Sequence, residues 1–340
     1  MKKILVILTL VTGLIACENQ KNEFPDFDYT AGYFPYQYPV RTLVLGDYIY
    51  DNTNDNNHKF LISAAFGGVY SNKQDREFKI EVAQSLCDKV LFESTKDTIR
   101  LLPPAYYSLS SSDKLIIPAG KVTGSIEVQL TDAFFDDPLA IKLGYVIPLR
   151  IVSATNIDSV LRGKTTKLNP DPRVDAHWDI LPKDFTMFAI NFINPYHGMY
   201  LHRGTNVVKN ASATVLETNV YRTKYIVDNE IWSLVTTSKN QVTVQGSSHS
   251  ALIPGVLKMN LTFSDNGNCT ITEATGSTFT ITGSGKFMSD ADEWGNKKRD
   301  AIHINYQLTS GANTYSATDT LVIRDRAVKM RVYKPIVFAK

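Results

Sequence analysis

Five aromatic residues and one histidine are the side chains in this sequence best suited to binding. They fall in turns or in an irregular segment, where we expect them to be exposed: Tyr106, Tyr107, Trp178, Tyr196, His197 and Trp294. A flat aromatic ring packs against the apolar C–H face of a sugar, while neighbouring polar groups bond its hydroxyls. Packing at the corners of a β domain is the alternative for each of them. Trp232 differs, because it lies in an alternating run and is expected in a core.

The histidines form no recognisable metal motif. They are His58, His177, His197, His202, His249 and His303. None belongs to a His-Glu-x-x-His pattern, whose spacing places two ligands on one helix face. His197 and His202 could approach each other across a bend, but two ligands without a third are weak evidence for a metal, and a structural role is favoured. We therefore predict no metal site.

No pattern of catalytic residues stands out either. The carboxylates over residues 132–137 and 290–293 lie in turn-like contexts, where acids commonly close turns. Residues 51–57 alternate oxygen-bearing side chains as a calcium loop does. Asn56 replaces the turn glycine of such a loop and Ile62 replaces its closing glutamate, so a solvated loop is favoured. The chain also lacks a Gly-x-Ser-x-Gly elbow and a phosphate-binding glycine loop. These observations predict a protein that is not an enzyme and uses no cofactor.

The N-terminus has the order of a lipoprotein signal peptide. Lys2 and Lys3 precede an apolar run too short to span a bilayer, and the run closes with Leu-Ile-Ala-Cys at Cys17. This tetrapeptide is similar to a bacterial lipobox, whose cysteine thiol receives diacylglycerol before cleavage. An ordinary secretory signal with a chance cysteine is the alternative. We predict a signal peptide over residues 1–17, a lipid anchor with palmitate on Cys17, and a polar tether over residues 18–30.

Composition argues against two further classes of protein. Lysine and arginine number 36 against 34 aspartate and glutamate residues, and neither sign forms a long block. A nucleic-acid partner is therefore not expected. Besides Cys17 only Cys87 and Cys269 occur, which excludes a disulfide framework and favours two buried, inert thiols.

Period-two alternation with many Val, Ile, Thr, Tyr and Phe residues predicts a mainly β protein. Six short strands predict a β-sandwich domain over residues 31–161, in which residues 82–92 could form a short helical turn or a loop crossing between sheets. Three prolines and little alternation mark a linker over residues 162–185. About ten further strands over residues 186–340 predict an antiparallel β-barrel or a second sandwich. Asn-Gly at residues 266–267 predicts a tight hairpin there.

Several segments carry a family resemblance. Residues 31–46 (AGYFPYQYPVRTLVLG), 117–130 and 145–151 (YVIPLRI) resemble the N-terminal domain of a large family of Bacteroidetes surface lipoproteins. That domain is an immunoglobulin-like sandwich, which recurs in loci that capture and degrade polysaccharides. Residues 194–200 (NPYHGMY) and 294–300 (WGNKKRD) resemble the partner domain of these lipoproteins, which is similar to lipocalin-type barrels. No active site is carried over, because none is established for these two domains.

The resemblance implies a non-catalytic lipoprotein of the cell outer membrane, surface-exposed, that binds glycan during polysaccharide capture. Its partners would be membrane lipid through Cys17, a glycan ligand, and outer-membrane transporters or glycosidases. An adhesion or structural role through protein contacts is the alternative, and a hydrolase whose site converges only in three dimensions is a third. An open groove lined by Tyr or Trp favours sugar binding, whereas convergent acids in a closed cleft favour catalysis.

Overall fold

The computed structural model describes residues 29–338. Cys17, the predicted signal peptide and all but the last two residues of the tether lie outside them. Within the described range, no helix has both the length and the apolar character needed to cross a bilayer.

The described residues are mainly β, as predicted. The strands, β1 to β23 in chain order, are Ala31–Tyr33, Pro39–Val44, Lys59–Gly67, Arg76–Val82, Val90–Phe92, Arg100–Leu101, Tyr107–Leu109, Lys114–Ile117, Thr123–Leu130, Tyr145–Thr155, Ser159–Val160, Phe185–Ile193, Gly198–Lys209, Val215–Tyr221, Glu230–Ser238, Gln241–Ser247, Val256–Phe263, Asn268–Glu273, Ile281–Trp294, Lys297–Ser310, Asn313–Asp325, Arg331–Val332 and Pro335–Val337. The α-helices are Thr53–Asn56, Asp132–Asp136 and Pro138–Ile141, and the 3-10 turns are Gln84–Cys87, Pro104–Tyr106, Asp175–His177 and Ile226–Asp228.

The first domain is a sandwich of two sheets. One has five strands in the order β11-β1-β3-β9-β7, and the other has seven, in the order β22-β2-β12-β10-β4-β8 with β6 also paired to β10. Strand β9 shows why they pack: its even-numbered side chains from Gly124 to Leu130 are buried, while the residues between them are exposed or half-buried. The inward faces of both sheets meet in one core that includes Phe60, Val128, Phe78 and Ile147. Alternation therefore creates the sandwich by giving each sheet an apolar face.

The second sheet is covered on its other face as well. Strands β5 and β23 pair there, and Phe92 and Tyr333 pack with Val146 and Met187 of the sheet in a separate core. The hydroxyl of Tyr333 donates to the carbonyl of Met187 at 2.8 Å. Strand β10 is consequently buried on both faces from Tyr145 to Leu149, which explains its continuous apolar run.

The second domain is an eight-stranded closed barrel, not a second sandwich. Its strands follow the order β13-β15-β16-β17-β18-β19-β20-β21, and β21 pairs back with β13. On its other edge β13 pairs with β15 through residues 198–202 and with β14 through residues 204–209. We call the end with Gly198 and Asp325 the sandwich-facing end. The opposite end, beside β14, is called the far end.

The predicted domain boundary at residue 186 requires correction. Strand β12, which the sequence prediction assigned to the barrel, pairs in parallel with β2 and antiparallel with β10 of the sandwich. Strands β22 and β23, at the end of the chain, also pair with sandwich strands. The barrel strands therefore run from residue 198 to residue 325. The paired residues lie between 35 positions apart (Arg150 and Phe185) and 293 positions apart (Pro39 and Val332) in sequence, and local patterning carries no signal for these pairings.

Two local predictions are also resolved. Residues 82–92 form the 3-10 turn Gln84–Cys87 followed by β5. Gly267, with a φ of +79°, closes the hairpin between β17 and β18 as its Asn-Gly sequence predicts. Cys87 and Cys269 are both free thiols, and burial raises the pKa of each to about 12.

Residues 51–57 are not simply a solvated loop. Thr53–Asn56 forms a short helix, and Asp55 within it is buried. The Asp55 carboxylate accepts a hydrogen bond from the backbone N–H of Val44 at 2.8 Å and forms an ion pair with the guanidinium of Arg41. Burial nonetheless raises the pKa of Asp55, against the opposing effect of these two contacts. This carboxylate therefore fixes the chain after β2 instead of facing a bound ion.

A candidate ligand cleft between the domains

The two domains are joined by a buried arginine. Arg326, which follows β21, is 6% exposed, and its guanidinium donates only to backbone carbonyls. It bonds the sandwich at the carbonyls of Leu45 (3.0 Å) and Asp47 (2.7 Å). It bonds the connection to the barrel at the carbonyls of Asn194 (2.7 Å) and His197 (2.7 Å). Burial lowers the pKa of Arg326, yet these four acceptors satisfy its charge and fix the loop after β2 against the barrel.

An open cleft of about 470 Å³ lies beside this junction. The sandwich contributes the loop from Asp47 to Tyr50, and the barrel contributes the hairpin between β19 and β20 and the segment from Ile323 to Lys329. Tyr48 and Tyr50 lie edge to face with ring centroids 5.4 Å apart. Tyr50 is 68% exposed, so most of its ring is available to a ligand.

Trp294 supports one wall of this cleft. Its indole Nε1 donates to the carbonyl of Ile323 at 3.0 Å, which ties the β19–β20 hairpin to β21. The guanidinium of Arg299, which lines the cleft, lies 4.1 Å from the centre of the Trp294 rings. The same hairpin is held to β13 by an ion pair between Asp292 and Arg203. Trp294 is half-buried, and its ring lies against the Arg299 guanidinium, which it helps to orient.

Three carboxylates approach one another along the cleft. The Asp300 carboxylate accepts from the backbone N–H of Asp290 at 3.1 Å. Burial, together with the nearby negative charges of Asp47 and Asp290, raises the pKa of Asp300. Lys298 and Arg299 line the same cleft, so acids and cations are mixed there. A neutral ligand rich in hydroxyl groups could use both donors and acceptors of such a surface.

Tyr196 and His197 lie at the sandwich-facing end, where both are packed. The Tyr196 ring stacks on Phe263 with centroids 3.6 Å apart. His197 Nδ1 accepts from the backbone N–H of Thr236 at 3.1 Å. Burial and the charge of Arg326 lower the pKa of His197 to about 4. His197 is therefore a neutral packing residue at neutral pH, and the bend places it away from His202, which sits further along β13.

The remaining predicted residues lie in other elements. Tyr106 and Tyr107 pack against the sandwich core, and the Tyr106 hydroxyl donates to Asp137 at 3.0 Å. Trp178, in the linker, donates from Nε1 to the carbonyl of Asp171 at 2.8 Å. Of the six sequence-predicted residues, Trp294 is the one the structure places beside the open cleft.

A larger cavity of about 560 Å³ lies on the other side of the segment 327–329. Its lining includes Pro138, Ile141, Val235 and the backbone-held His197, with the buried Phe192 as its aromatic contribution. It presents no exposed aromatic face, and the smaller cleft is therefore the better candidate for ligand binding.

Comparison with known proteins agrees with this two-domain arrangement. The sequence profile of a domain of unknown function, DUF5627, matches residues 195–327, and a profile for an N-terminal domain matches residues 27–158. A crystal structure of a Bacteroides ovatus protein of unknown function is 33% identical, with a TM-score of 0.85, and the match covers 92% of this chain and 100% of that one. The chain belongs to the same family as this Bacteroides ovatus protein.

More distant structures in the comparison are also from Bacteroides ovatus. A multidomain protein including DUF1735 is 12% identical with a TM-score of 0.40, over 87% of this chain and 94% of that one. Another protein of unknown function is 13% identical with a TM-score of 0.41, and the match covers 89% of this chain and 99% of that one. No match was found among proteins of curated function. The 33% identical relative establishes the fold, and its function is unknown.

The structure also brings together residues that sequence reasoning missed. Tyr48 and Tyr50 follow a strand of ordinary composition, and only their exposure beside the barrel makes them notable. His202, Glu230 and His249 have ligand atoms within 4.8 Å of one another, and they could hold a metal ion. Their sequence separations match no motif, because barrel closure and strand register assemble them.

Proposed function

We propose that this family member is a non-catalytic glycan-binding lipoprotein, attached to the outer membrane through Cys17 and exposed at the cell surface. The observation that carries the binding role is the open cleft between the domains, with the accessible ring of Tyr50 on one side and Arg299, supported by Trp294, on the other. The lipid anchor and the surface location rest on the lipobox-like sequence and the family resemblance.

The chemistry of the cleft suits a sugar. Its volume of about 470 Å³ falls within the range of about 300–1,000 Å³ that is usual for small-ligand sites. Tyr48 and Tyr50 offer flat apolar surface, while Asp290, Asp300 and Arg299 offer acceptors and donors for hydroxyl groups. In this role the protein would hold polysaccharide near outer-membrane transporters or glycosidases.

A protein-binding role is the second candidate, and one observation favours it. Strand β14 exposes Val215, Leu216 and Val220, with exposed fractions of 53%, 46% and 62%. Exposed apolar side chains on an edge strand of this kind can mark an interface with another protein.

The test is affinity electrophoresis in gels containing a panel of plant and host polysaccharides, supported by a glycan array. Tyr50→Ala should weaken retention on the bound polysaccharide about tenfold, equivalent to about 1.4 kcal/mol. Arg299→Ala and Trp294→Ala should weaken it in the same gel, since Trp294 orients Arg299. Tyr36→Ala is the matched control, because Tyr36 is also exposed (54%) but does not line the cleft.

Unchanged retention of the Tyr50, Arg299 and Trp294 variants would remove the cleft from consideration. Absence of any glycan binding, combined with a protein partner lost in Val220→Asp, would instead support the adhesion alternative. Release of reducing sugar that disappears in Asp300→Asn would support the hydrolase alternative.

A further inference from the structure

A polar cluster lies inside the far end of the barrel, away from the cleft. His202 on β13 is the register partner of Glu230, the first residue of β15. His249 follows β16 and has a φ of +51°. Glu230 Oε1 lies 2.5 Å from His202 Nδ1 and 2.7 Å from His249 Nε2. Two imidazole nitrogens therefore converge on one carboxylate oxygen.

The histidine at the centre of this cluster has a carboxylate near each ring nitrogen. The His202 side chain is fully buried, and its second nitrogen, Nε2, lies 2.9 Å from Asp319 Oδ2. The Asp319 carboxylate also accepts from the hydroxyls of Tyr221 and Tyr306, the latter at 3.1 Å. A carboxylate behind an imidazole is the usual outer partner of a metal-bound histidine, because it fixes the tautomer and leaves the other nitrogen free to bind the ion.

Two glycines make room for this arrangement. A Cβ at Gly204 would lie 2.0 Å from Asp319 Oδ1, and a Cβ at Gly246 would lie 2.5 Å from the Trp232 ring. Trp232 in turn stacks under His202 with ring centroids 3.6 Å apart, and Tyr221 stacks on His249 at 4.1 Å. The rings of His202 and His249 are therefore held by aromatic stacking as well as by their polar contacts.

The cluster opens toward solvent on one side. The side chains of Glu230 and His249 are 39% and 21% exposed, whereas those of His202 and Asp319 are completely buried. A buried ion pair would not need such an opening. A metal ion held by three protein ligands does need it, because its fourth position takes water or an oxygen atom of a ligand.

We propose that His202, Glu230 and His249 form a binding site for a zinc ion. Two imidazoles and one carboxylate form a ligand set that suits Zn²⁺, whereas Ca²⁺ and Mg²⁺ prefer oxygen ligands. Zinc bonds of about 2.0–2.1 Å require the ligand atoms to lie about 3.3 Å apart in a tetrahedral site. The two distances from Glu230, 2.5 and 2.7 Å, must widen by less than 1 Å to admit the ion, and all three ligand atoms already lie within 4.8 Å of one another.

In the loaded site His202 keeps its proton on Nε2 toward Asp319 and offers the lone pair of Nδ1. His249 offers Nε2, and Glu230 offers Oε1. Asp319 acts as a positioning residue through His202, and the fourth position faces the opening at the far end. The site is independent of the proposed glycan cleft, which lies at the sandwich-facing end and shares none of these residues.

The experiment is titration of the chelator-treated full-length chain with ZnCl2 by isothermal calorimetry, with a chromogenic zinc indicator as competitor. The wild type should bind one Zn²⁺ per chain. His249→Ala should weaken binding at least about 100-fold, and Glu230→Gln should weaken it in the same direction. His303→Ala is the matched control, because it removes a histidine of the same barrel outside the cluster, and its affinity should equal that of the wild type.

Co²⁺ supplies a spectroscopic check. It should give the strong visible absorption of a four-coordinate site in the wild type and in His303→Ala, and lose it in His249→Ala and Glu230→Gln. Because His249 and Glu230 are partly exposed, circular dichroism should show both variants folded; if His249→Ala does not fold, Glu230→Gln decides the result. Zinc uptake by the wild type that does not exceed that of Glu230→Gln, or an equal loss in His303→Ala, would overturn the proposal.

Discussion

The two ends of the barrel use charged side chains in opposite ways. At the sandwich-facing end, Arg326 is surrounded by neutral backbone carbonyls, and its partners carry no proton to lose. At the far end, His202 lies between the carboxylates of Glu230 and Asp319. The first arrangement should be insensitive to pH, because a peptide carbonyl does not ionise, and it forms whenever the chain is folded. The second arrangement consists of imidazole and carboxylate groups, which can gain or lose a proton or bind a metal ion. Its charge can therefore change with pH and with metal concentration.

The largest effect should come from Arg326→Met. The methionine fills part of the volume but leaves four buried carbonyls without their donor, and hydrogen bonds to a charged group contribute about 1.5–3 kcal/mol each. We expect the free energy of unfolding to fall by at least about 3 kcal/mol in a urea titration. Arg324→Met is the control, because the Arg324 side chain is 47% exposed, and it should change stability by no more than about 0.5 kcal/mol. Equal losses in the two variants would contradict the role of the buried arginine.

The second-largest effect should be a loss of stability at acid pH, caused by protonation of His197. The folded chain holds the pKa of His197 at about 4, below its usual 6.5, because the ring is buried beside Arg326. Between these values the unfolded chain binds a proton that the folded chain does not, so stability is full above pH 6.5 and declines as the pH falls toward 4. The loss should reach about 3 kcal/mol at most.

Urea titrations at pH 7 and pH 4.5 measure this loss, and His197→Gln supplies the comparison. The glutamine variant should lose less stability over the same interval, since it has no ring to protonate. If both proteins show the same pH dependence, His197 does not carry the effect.

At the far end, Gly204→Ala should have an intermediate effect. The added methyl group would meet Asp319, and overpacking of this kind costs about 1–3 kcal/mol. Thermal unfolding should show the loss. Gly67→Ala is the control, because a Cβ there meets no atom within 4 Å, and its melting temperature should stay close to that of the wild type. A melting temperature unchanged in Gly204→Ala would mean that Asp319 and the Thr318 carbonyl both shift to admit the methyl group, and that this end of the barrel is not tightly packed.

The smallest effect is expected for Glu217→Ala. Glu217 on β14 accepts from the hydroxyl of Ser250 at 2.5 Å and from the backbone N–H of Ala251 at 3.2 Å, so it ties the loop after His249 to the strand. Hydrogen exchange at Ala251 should accelerate, while the melting temperature changes little because Glu217 lies near the surface. Unchanged exchange at Ala251 in the variant would show that this loop is held by other contacts.

Sequence patterning predicts the strands well because each strand carries its own alternation. Strand β9 alternates buried and more exposed positions, and the Asn-Gly turn at residues 266–267 closes the predicted hairpin. The partners of β12 could not be predicted, because a strand buried on both faces has no alternation to reveal which sheet it joins. A largely apolar run such as Phe185 to Ile193 is compatible with a strand in either domain.

Local sequence patterns identify even less of the candidate sites than of the strand pairing. Trp294 could be singled out from its type and context, but Tyr50 becomes notable only when the sandwich loop is seen against the barrel. His202 and Glu230 are 28 residues apart and become direct neighbours through strand register. His249 joins them from the loop after another strand. A search for polar residues at inward-facing strand positions would have found His202, since a buried histidine among apolar neighbours needs partners.

The return of the chain to the first domain has a consequence for biosynthesis. Strands β22 and β23 emerge from the ribosome only after every barrel strand, yet Tyr333 between them fills a core behind the second sheet of the sandwich. The usual order, in which the N-terminal unit finishes folding before the next is made, is therefore unavailable to this protein. Chains truncated near residue 325 should therefore expose the apolar face around Phe92 and Met187.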